Sequence, residues 1–291
     1  MKLVQRIECP FCKKINFKSQ FKQNYSHPYL KSFISKYYQS SKLDQMLKNE
    51  IYEISECLNC RGLFQKFIPD LNFSNYLYDD LISATDSLKK KSDYLEKNKK
   101  KLNDDFEIIS NLFRKKKSDI KILEFGSGWG FWSKFMKSKT FNITTCEFSE
   151  KRHNHLIHNN ISNFKNLADI KDKFDFIYSE EVLEHVSSPL DILLQLKKLL
   201  SDDGFMLHRF PSTFLFKKKI KSNYLPQKDC GHPLEHINML NKKSFLKMCQ
   251  IANLNIHHPL KIKKQKFTSK IKLLKNYLIF NFVILKKNIN Y

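Results

Sequence analysis

Four cysteines stand in two CxxC pairs, Cys9-Pro-Phe-Cys12 and Cys57-Leu-Asn-Cys60. One turn of that spacing offers two thiolates to one ion, and two such turns complete the tetrahedral set zinc takes. Cys146, Cys230 and Cys249 are scattered, which makes the total of seven odd. Paired knuckles in an odd count point to a metal in a reducing compartment, not to a disulfide framework. The expectation is one Zn2+ on Cys9, Cys12, Cys57 and Cys60. Four thiolates leave no open coordination position, so that ion is structural. Residues 13–56 separate the pairs, and the ligands must be brought together by folding.

A second chemical cluster is Glu124-Phe-Gly126-Ser127-Gly128-Trp-Gly130, which holds three of the chain's six glycines. A strand that ends in a glycine turn and opens a helix is where α/β sheets hold ligands. Glycine lets the backbone pass against a ligand without a Cβ clash. A dinucleotide turn asks for GxGxxG, and Phe131 stands where its third glycine belongs. Glu147, at the end of the next apolar run, is an acid placed to accept both hydroxyls of a ribose. The turn has no lysine, so nothing in it suggests a phosphate cradle.

A hydroxyl, amine or carbon nucleophile usually has to lose a proton, and histidine is the ordinary base near neutral pH. His236 and His232 lie in "GHPLEHINML" and His185 in "LEHV". His208 lies inside an apolar run and is expected to face a core. Glu181 is a candidate contact to substrate or cofactor, and Arg209 a candidate clamp for an anionic substrate. His236, His185 and Glu181 are the catalytic candidates.

These groups need elements to position them. The first third reads as irregular, with aromatic and lysine-rich stretches between the knuckles. Residues 79–119 read as charged helix, with Leu102, Phe106, Ile109 and Phe113 making one apolar stripe. From Ile120 strands and helices alternate: "IKILEF", "FWSKFMKS", "FNITTCEF", "EKRHNHLIHNN", a faint "FKNLAD", "KFDFIYSE" and "FMLHRF". "SSPLDILLQLKKLLSDDG" is the clearest helix, with Ser188 as cap, Pro189 at the first position and Gly204 expected to close it. A helix near "KKSFLKMCQIAN" precedes two late strands, "IHHPLKIKK" and "YLIFNFVILKK", which read as an antiparallel pair at the sheet edge. The fold expected is α/β, a Rossmann-like doubly wound sheet with an antiparallel edge strand, preceded by a small zinc-binding module. The segments are 1–80 for the module, 81–119 for a helical linker and 120–291 for the sheet domain.

The run from Glu124 resembles motif I of class I S-adenosylmethionine-dependent methyltransferases. "LAD", ending at Asp169, resembles the acid that reads the adenine amino group in that family. "FDFIYSEEVLEHV" and "LLSDDGFMLHRFP" resemble its fourth-strand motif and the turn that closes the site. The resemblance covers about Lys121–Lys287 and implies S-adenosylmethionine on Glu124, Gly126, Ser127, Gly128, Gly130, Glu147, Asp169 and Glu180. "CLNCRGLFQKFIPDLNFSNYLYDDLIS" resembles the zinc-binding N-terminal module of sugar C-methyltransferases, with Leu63-Phe64-Gln65 and Tyr76/Tyr78 in place. Those enzymes also carry Glu-His followed by a tyrosine. Here Glu235-His236 is present and Met239 holds the tyrosine's position.

The resemblance implies a methyltransferase acting on a sugar, nucleotide-sugar or other small precursor. The alternative is an RNA methyltransferase. Lysine and arginine total 52 against 29 acids, a formal charge of +23. Only five of the basic residues are arginine, the residue that suits bidentate phosphate and base contacts. The charge therefore fits either an AT-rich coding bias or an anionic partner. No apolar leader opens the chain, and the longest apolar run, Tyr277–Leu285, falls short of the roughly 20 residues of a membrane span. A soluble, cytoplasmic protein is expected.

Overall fold

The computed structural model describes residues 1–82, 87–89, 93–257 and 282–288. The chain forms two compact units that interleave in sequence. One comprises Met1–Ser83, Leu183–Ile192 and Phe210–Ile251, and the other Ala84–Val182, Leu193–Arg209 and Ala252–Tyr291.

The second unit is built on a seven-stranded sheet. Its spatial order is Leu254–Ile256, Phe282–Lys287, Leu200–Arg209, Phe174–Glu180, Lys121–Phe125, Asn142–Cys146 and Ser162–Phe164. The last five pair in parallel, and Phe282–Lys287 pairs antiparallel with both its neighbours, Leu200–Arg209 and Leu254–Ile256. This is the α/β sheet with an antiparallel edge that the alternating pattern implies. The chain runs from Lys121–Phe125 outward through two strands, then crosses back to lay Phe174–Glu180 on the other side. That reversal makes the carboxyl end of Lys121–Phe125 the switch point, where such sheets open a crevice. The core joins Ile122, Phe176, Leu207 and Ile284 of the sheet to Trp132, Met136 and the helix Lys99–Leu112. On that helix Leu102, Ile108 and Ile109 are buried and Phe106 is partly so, but the expected stripe over 79–119 is cut short: the helix ends at Leu112, and Phe113 packs on the core from extended backbone.

Two elements differ from expectation. The helix Pro189–Leu199 ends before Gly204, and the strand Leu200–Arg209 runs through that glycine. A Cβ on Gly204 would lie 2.9 Å from the Asp175 carbonyl oxygen, so the glycine serves close strand approach, not a helix cap. The faint third strand is only Ser162–Phe164, followed by a 3-10 turn at Leu167–Asp169. "IHHPLKIKK" and the start of "YLIFNFVILKK" lie largely outside the described residues.

The first unit is not irregular. Phe17–Asn24, Ile51–Cys57, Leu63–Gln65 and Asn238–Met239 form a four-stranded antiparallel sheet. Leu3–Gln5 pairs with Phe67–Pro69. The helices Pro28–Tyr38 and Ser41–Leu47 bury Leu30, Ile34, Leu43 and Leu47 against this sheet's Tyr52 and Ile54. The strand "FKSQFKQN" lies at the sheet edge and is mostly solvated. Its lysines and glutamines suit an edge and hide its period from the sequence.

Candidate functional site

In the second unit the glycine turn leaves the strand Lys121–Phe125 and enters the helix Phe131–Ser138. Gly126, Gly128 and Gly130 all have left-handed φ, +71°, +58° and +70°. Their surroundings differ. A Cβ on Gly126 would run into the Val182 side chain, and one on Gly130 would lie 2.5 Å from Leu156 Cδ2. A Cβ on Gly128 would meet nothing within 4 Å. The outer two glycines are bare for packing and the middle one faces open space. Ser127 is buried, yet its Oγ finds no hydrogen-bond partner among the described residues. An open cradle beside an orphaned hydroxyl fits a polar ligand of the expected kind.

The acids around the turn are fixed. Glu147 is buried at the end of Asn142–Cys146. Its Oε2 accepts the Gly128 N–H at 2.9 Å, its Oε1 accepts the Ser149 N–H at 3.1 Å, and Arg152 stands 3.8 Å away. Glu124 is buried and accepts from Ser133 Oγ on the following helix. Asp169 lies exposed in its 3-10 turn and accepts from Asn166 Nδ2 at 3.1 Å. Phe148, next to Glu147, is half exposed.

Glu180 sits in a polar network of the same unit. It is ion-paired to Lys101 and accepts from Tyr178 at 3.0 Å and Tyr94 at 3.3 Å. Burial opposes its charge, but Arg209 and Lys101 outweigh burial and hold the carboxyl below its usual range. Arg209, considered from sequence as an anion clamp, is bound to Asp105 and donates to Tyr178 Oη at 3.0 Å. Asp105 also accepts from Trp132 Nε1, whose ring stacks on Tyr178 at 4.0 Å. Glu181 is exposed at φ +54°, and its N–H donates to the Arg209 carbonyl at 3.0 Å. His208 is fully buried, as expected, with Nδ1 2.7 Å from Ser179 Oγ.

In the first unit, two loops bring the remaining histidines together. The rings of His185 and His236 are 4.9 Å apart, and those of His236 and His232 are 5.8 Å apart. His185 Nδ1 contacts Tyr78 Oη at 2.8 Å and the Glu235 carbonyl at 2.9 Å. His236 Nδ1 donates to the Asp229 carbonyl at 2.6 Å, and burial keeps its imidazole below the ordinary range. His232 is walled in by Phe33, Tyr37 and Tyr38, and burial pushes it down to about 3. Tyr38 Oη donates to Glu235 Oε1 at 2.8 Å.

Both loops hang on the small sheet. Gln65 Nε2 donates to the His232 and His236 carbonyls at 2.9 and 3.0 Å. Asn238 Nδ2 donates to the Leu183 and Val186 carbonyls at 2.9 and 2.6 Å, and its N–H to the Glu184 carbonyl at 3.0 Å. Neither Gln65 nor Asn238 is a site candidate from sequence. Nor are Glu184, Tyr94 and Lys101, although Glu184 stands inside the quoted "LEH". Their roles depend on partners far along the chain.

The four cysteines also converge in this unit. Cys9 and Cys60 Sγ are 3.6 Å apart, as are Cys12 and Cys57, and all four lie within 4.8 Å of one another. A tetrahedron with about 2.3 Å metal–sulfur bonds has edges of about 3.8 Å, so the set fits zinc. The two knuckles share a backbone form. Lys13 and Arg61, each following its second cysteine, are left-handed at +57° and +62°, and their N–H groups donate to the Cys9 and Cys57 carbonyls at 2.9 Å. The first knuckle holds the Leu183–Ile192 stretch of its own unit through Lys13, which reaches Ser188 Oγ at 3.0 Å and Asp191 at 2.8 Å. Among the described residues no helix is long and apolar enough to cross a membrane.

A family model described as methyltransferase domain matches residues 94–258. No curated protein matches the chain. Among solved structures, the plantazolicin methyltransferase BamL, in complex with a triazolic desmethylPZN analog and SAH, has a TM-score of 0.51 at 12% identity. That match covers 74% of this chain and 94% of that one. The plantazolicin methyltransferase BpumL with a pentazolic analog and SAH has a TM-score of 0.51 at 15% identity, covering 74% and 95%. An S-adenosylmethionine-dependent methyltransferase from Clostridium acetobutylicum ATCC 824 has a TM-score of 0.49 at 12% identity, covering 71% and 100%. At such identities the two plantazolicin enzymes share a fold with this chain.

Proposed function

We propose that this chain, which belongs to the methyltransferase-domain family, transfers a methyl group from S-adenosylmethionine to a small, sugar-type acceptor. The observation that carries the reading is Gly128, left-handed and open on its Cβ side, with its N–H on Glu147. Bound S-adenosylmethionine supplies a methyl group on a cationic sulfur. The chain's part is to hold and orient, which is a proximity effect. Gly126, Ser127, Gly128 and Gly130 form the cradle. Glu124 faces the ammonium of the methionine end, Glu147 the ribose hydroxyls and Asp169 the adenine amino group. Glu180 braces the same crevice through Lys101 and Tyr94.

His236 and His185, with Glu181 as a further contact, are the groups that ready the acceptor. The His236 Nδ1–H is committed to a carbonyl, which leaves the Nε2 lone pair for that task. Cys9, Cys12, Cys57 and Cys60 hold one structural zinc that fixes the unit carrying these histidines.

Radiolabelled S-adenosylmethionine, incubated with the protein and a cell extract, tests the reading. Label in a small, RNase-resistant product supports it. Label in RNase-sensitive material would move the acceptor to RNA, the reading that the +23 charge keeps open.

A further inference from the structure

Glu184, His185 and His236 each offer one ligand atom, and the three atoms lie within 4.8 Å of one another. Glu184 is buried and the two imidazoles are partly buried. In both rings Nδ1 faces a backbone carbonyl. His185 Nδ1 lies 2.9 Å from the Glu235 carbonyl oxygen and His236 Nδ1 lies 2.6 Å from that of Asp229. A carbonyl only accepts, so His236 Nδ1 carries the proton and its Nε2 keeps its lone pair. At His185, Tyr78 Oη also lies 2.8 Å from Nδ1, and the Glu235 carbonyl favours the same tautomer. Histidines that bind metals are held in this way, with the remote N–H on a carbonyl or carboxylate that fixes tautomer and ring plane. His185 Nε2 already lies 3.9 Å from Glu184 Oε1. The backbone is fixed as well. Asn238 ties down the loop of Glu184 and His185, and Gln65 ties down the loop of His236.

We infer that Glu184, His185 and His236 form a binding site for one divalent first-row transition-metal ion, separate from the four-cysteine centre. Two imidazoles and one carboxylate suit such an ion, whereas magnesium and calcium want mainly oxygen. Bonds of about 2.0–2.2 Å place ligand atoms about 3 Å apart, so an ion would draw the three atoms together. Three protein ligands leave coordination positions open. The inference rests on the reading of His185 and His236 as the groups that ready the acceptor, and it narrows that reading. The acceptor is a hydroxyl with a second oxygen beside it, such as a vicinal diol, that chelates the ion. Coordination lowers the hydroxyl's pKa, its O–H bond breaks, the proton passes to water, and the electron pair stays on the oxygen as the nucleophile.

The test is calorimetric titration of Co2+ into the full-length chain with its four cysteines loaded with zinc, with S-adenosylhomocysteine titrated in parallel. The wild type is expected to bind one Co2+ that His236→Gln and His185→Gln each weaken at least ~10-fold. No saturable Co2+ binding in the wild type, or equal affinity in all three chains, overturns the site and leaves a hydrogen-bonded histidine cluster. If a variant fails to fold, the optical spectrum of Co2+ on the wild type decides. Nitrogen and oxygen ligands without a thiolate charge-transfer band support the site, and a thiolate band alone overturns it. Co2+ binding as expected with no S-adenosylhomocysteine binding would retain the metal site and sink the transferase reading. The reverse pattern would sink only the metal.

Discussion

At the scale of single residues, the glycine turn makes a sharp distinction. Gly128→Val places a β-branched residue at φ +58° and fills the open space in which the proposed cofactor site lies. It should weaken S-adenosylhomocysteine binding at least ~10-fold, or about 1.4 kcal/mol, because the new side chain occupies the cradle. An unchanged Kd by calorimetry would remove the cofactor from this turn. Gly130→Ala should instead lower Tm, because its Cβ meets Leu156. His208 gives a pH prediction. Burial lowers its pKa to about 4, and its cross-strand neighbours, Ser179 and Val283, carry no charge. The unfolded chain binds the proton near pH 6.5, so stability is full above that value and falls as pH drops towards 4. The loss is about 3 kcal/mol on the same linkage, and urea melts at stepped pH would show it. A His208→Gln chain that keeps the full slope would refute the assignment. The glycine turn and Glu147 were legible in sequence because chain neighbours define them. The orphaned Ser127 hydroxyl and the Asp105 pairing of Arg209 were not, since each depends on residues distant in the chain.

Among elements, the short strand Leu63–Gln65 does more than its length suggests. Gln65 is fully buried, donates to two loop carbonyls and accepts the Leu234 N–H at 3.3 Å. Gln65→Leu would strand those groups away from water. At about 1–3 kcal/mol for each unsatisfied buried group, the fold should lose about 3 kcal/mol in urea denaturation. The Co2+ affinity of the histidine loops should fall with it. A loss under about 1 kcal/mol would mean that the loops hold themselves. The helices of the second unit could be read from periodicity because one face of each is buried on the sheet. The first unit's strands could not. "FKSQFKQN" is an edge, "LFQ" is three residues long, and the strand Asn238–Met239 is two. Strands that short carry no period, and only pairing across the chain defines them.

For the whole molecule, the first unit takes residues from three stretches of sequence. What marks this unit chemically is the cysteine centre. Zinc binding by four thiolates contributes about 10–16 kcal/mol in small domains, and most of it is folding energy. The chain's two tryptophans, Trp129 and Trp132, both belong to the other unit, so their emission follows the folding of that unit. Cys12→Ala combined with Cys57→Ala removes two ligands from opposite knuckles. Wild type should carry about one zinc per chain in the cysteine centre and the variant none there, as metal analysis of Co2+-free protein would show. Calorimetry of the variant should show a first transition shifted down or lost. Tryptophan emission should stay native until a second, unshifted transition, because the sheet packs Trp132 on Tyr178 and Met136 without help from the cysteines. If emission changes together with the zinc, the two units fold as one and the metal stabilises the sheet as well. If the first transition does not move, the four buried thiols hold their unit by packing alone, and the structural role of the ion is refuted.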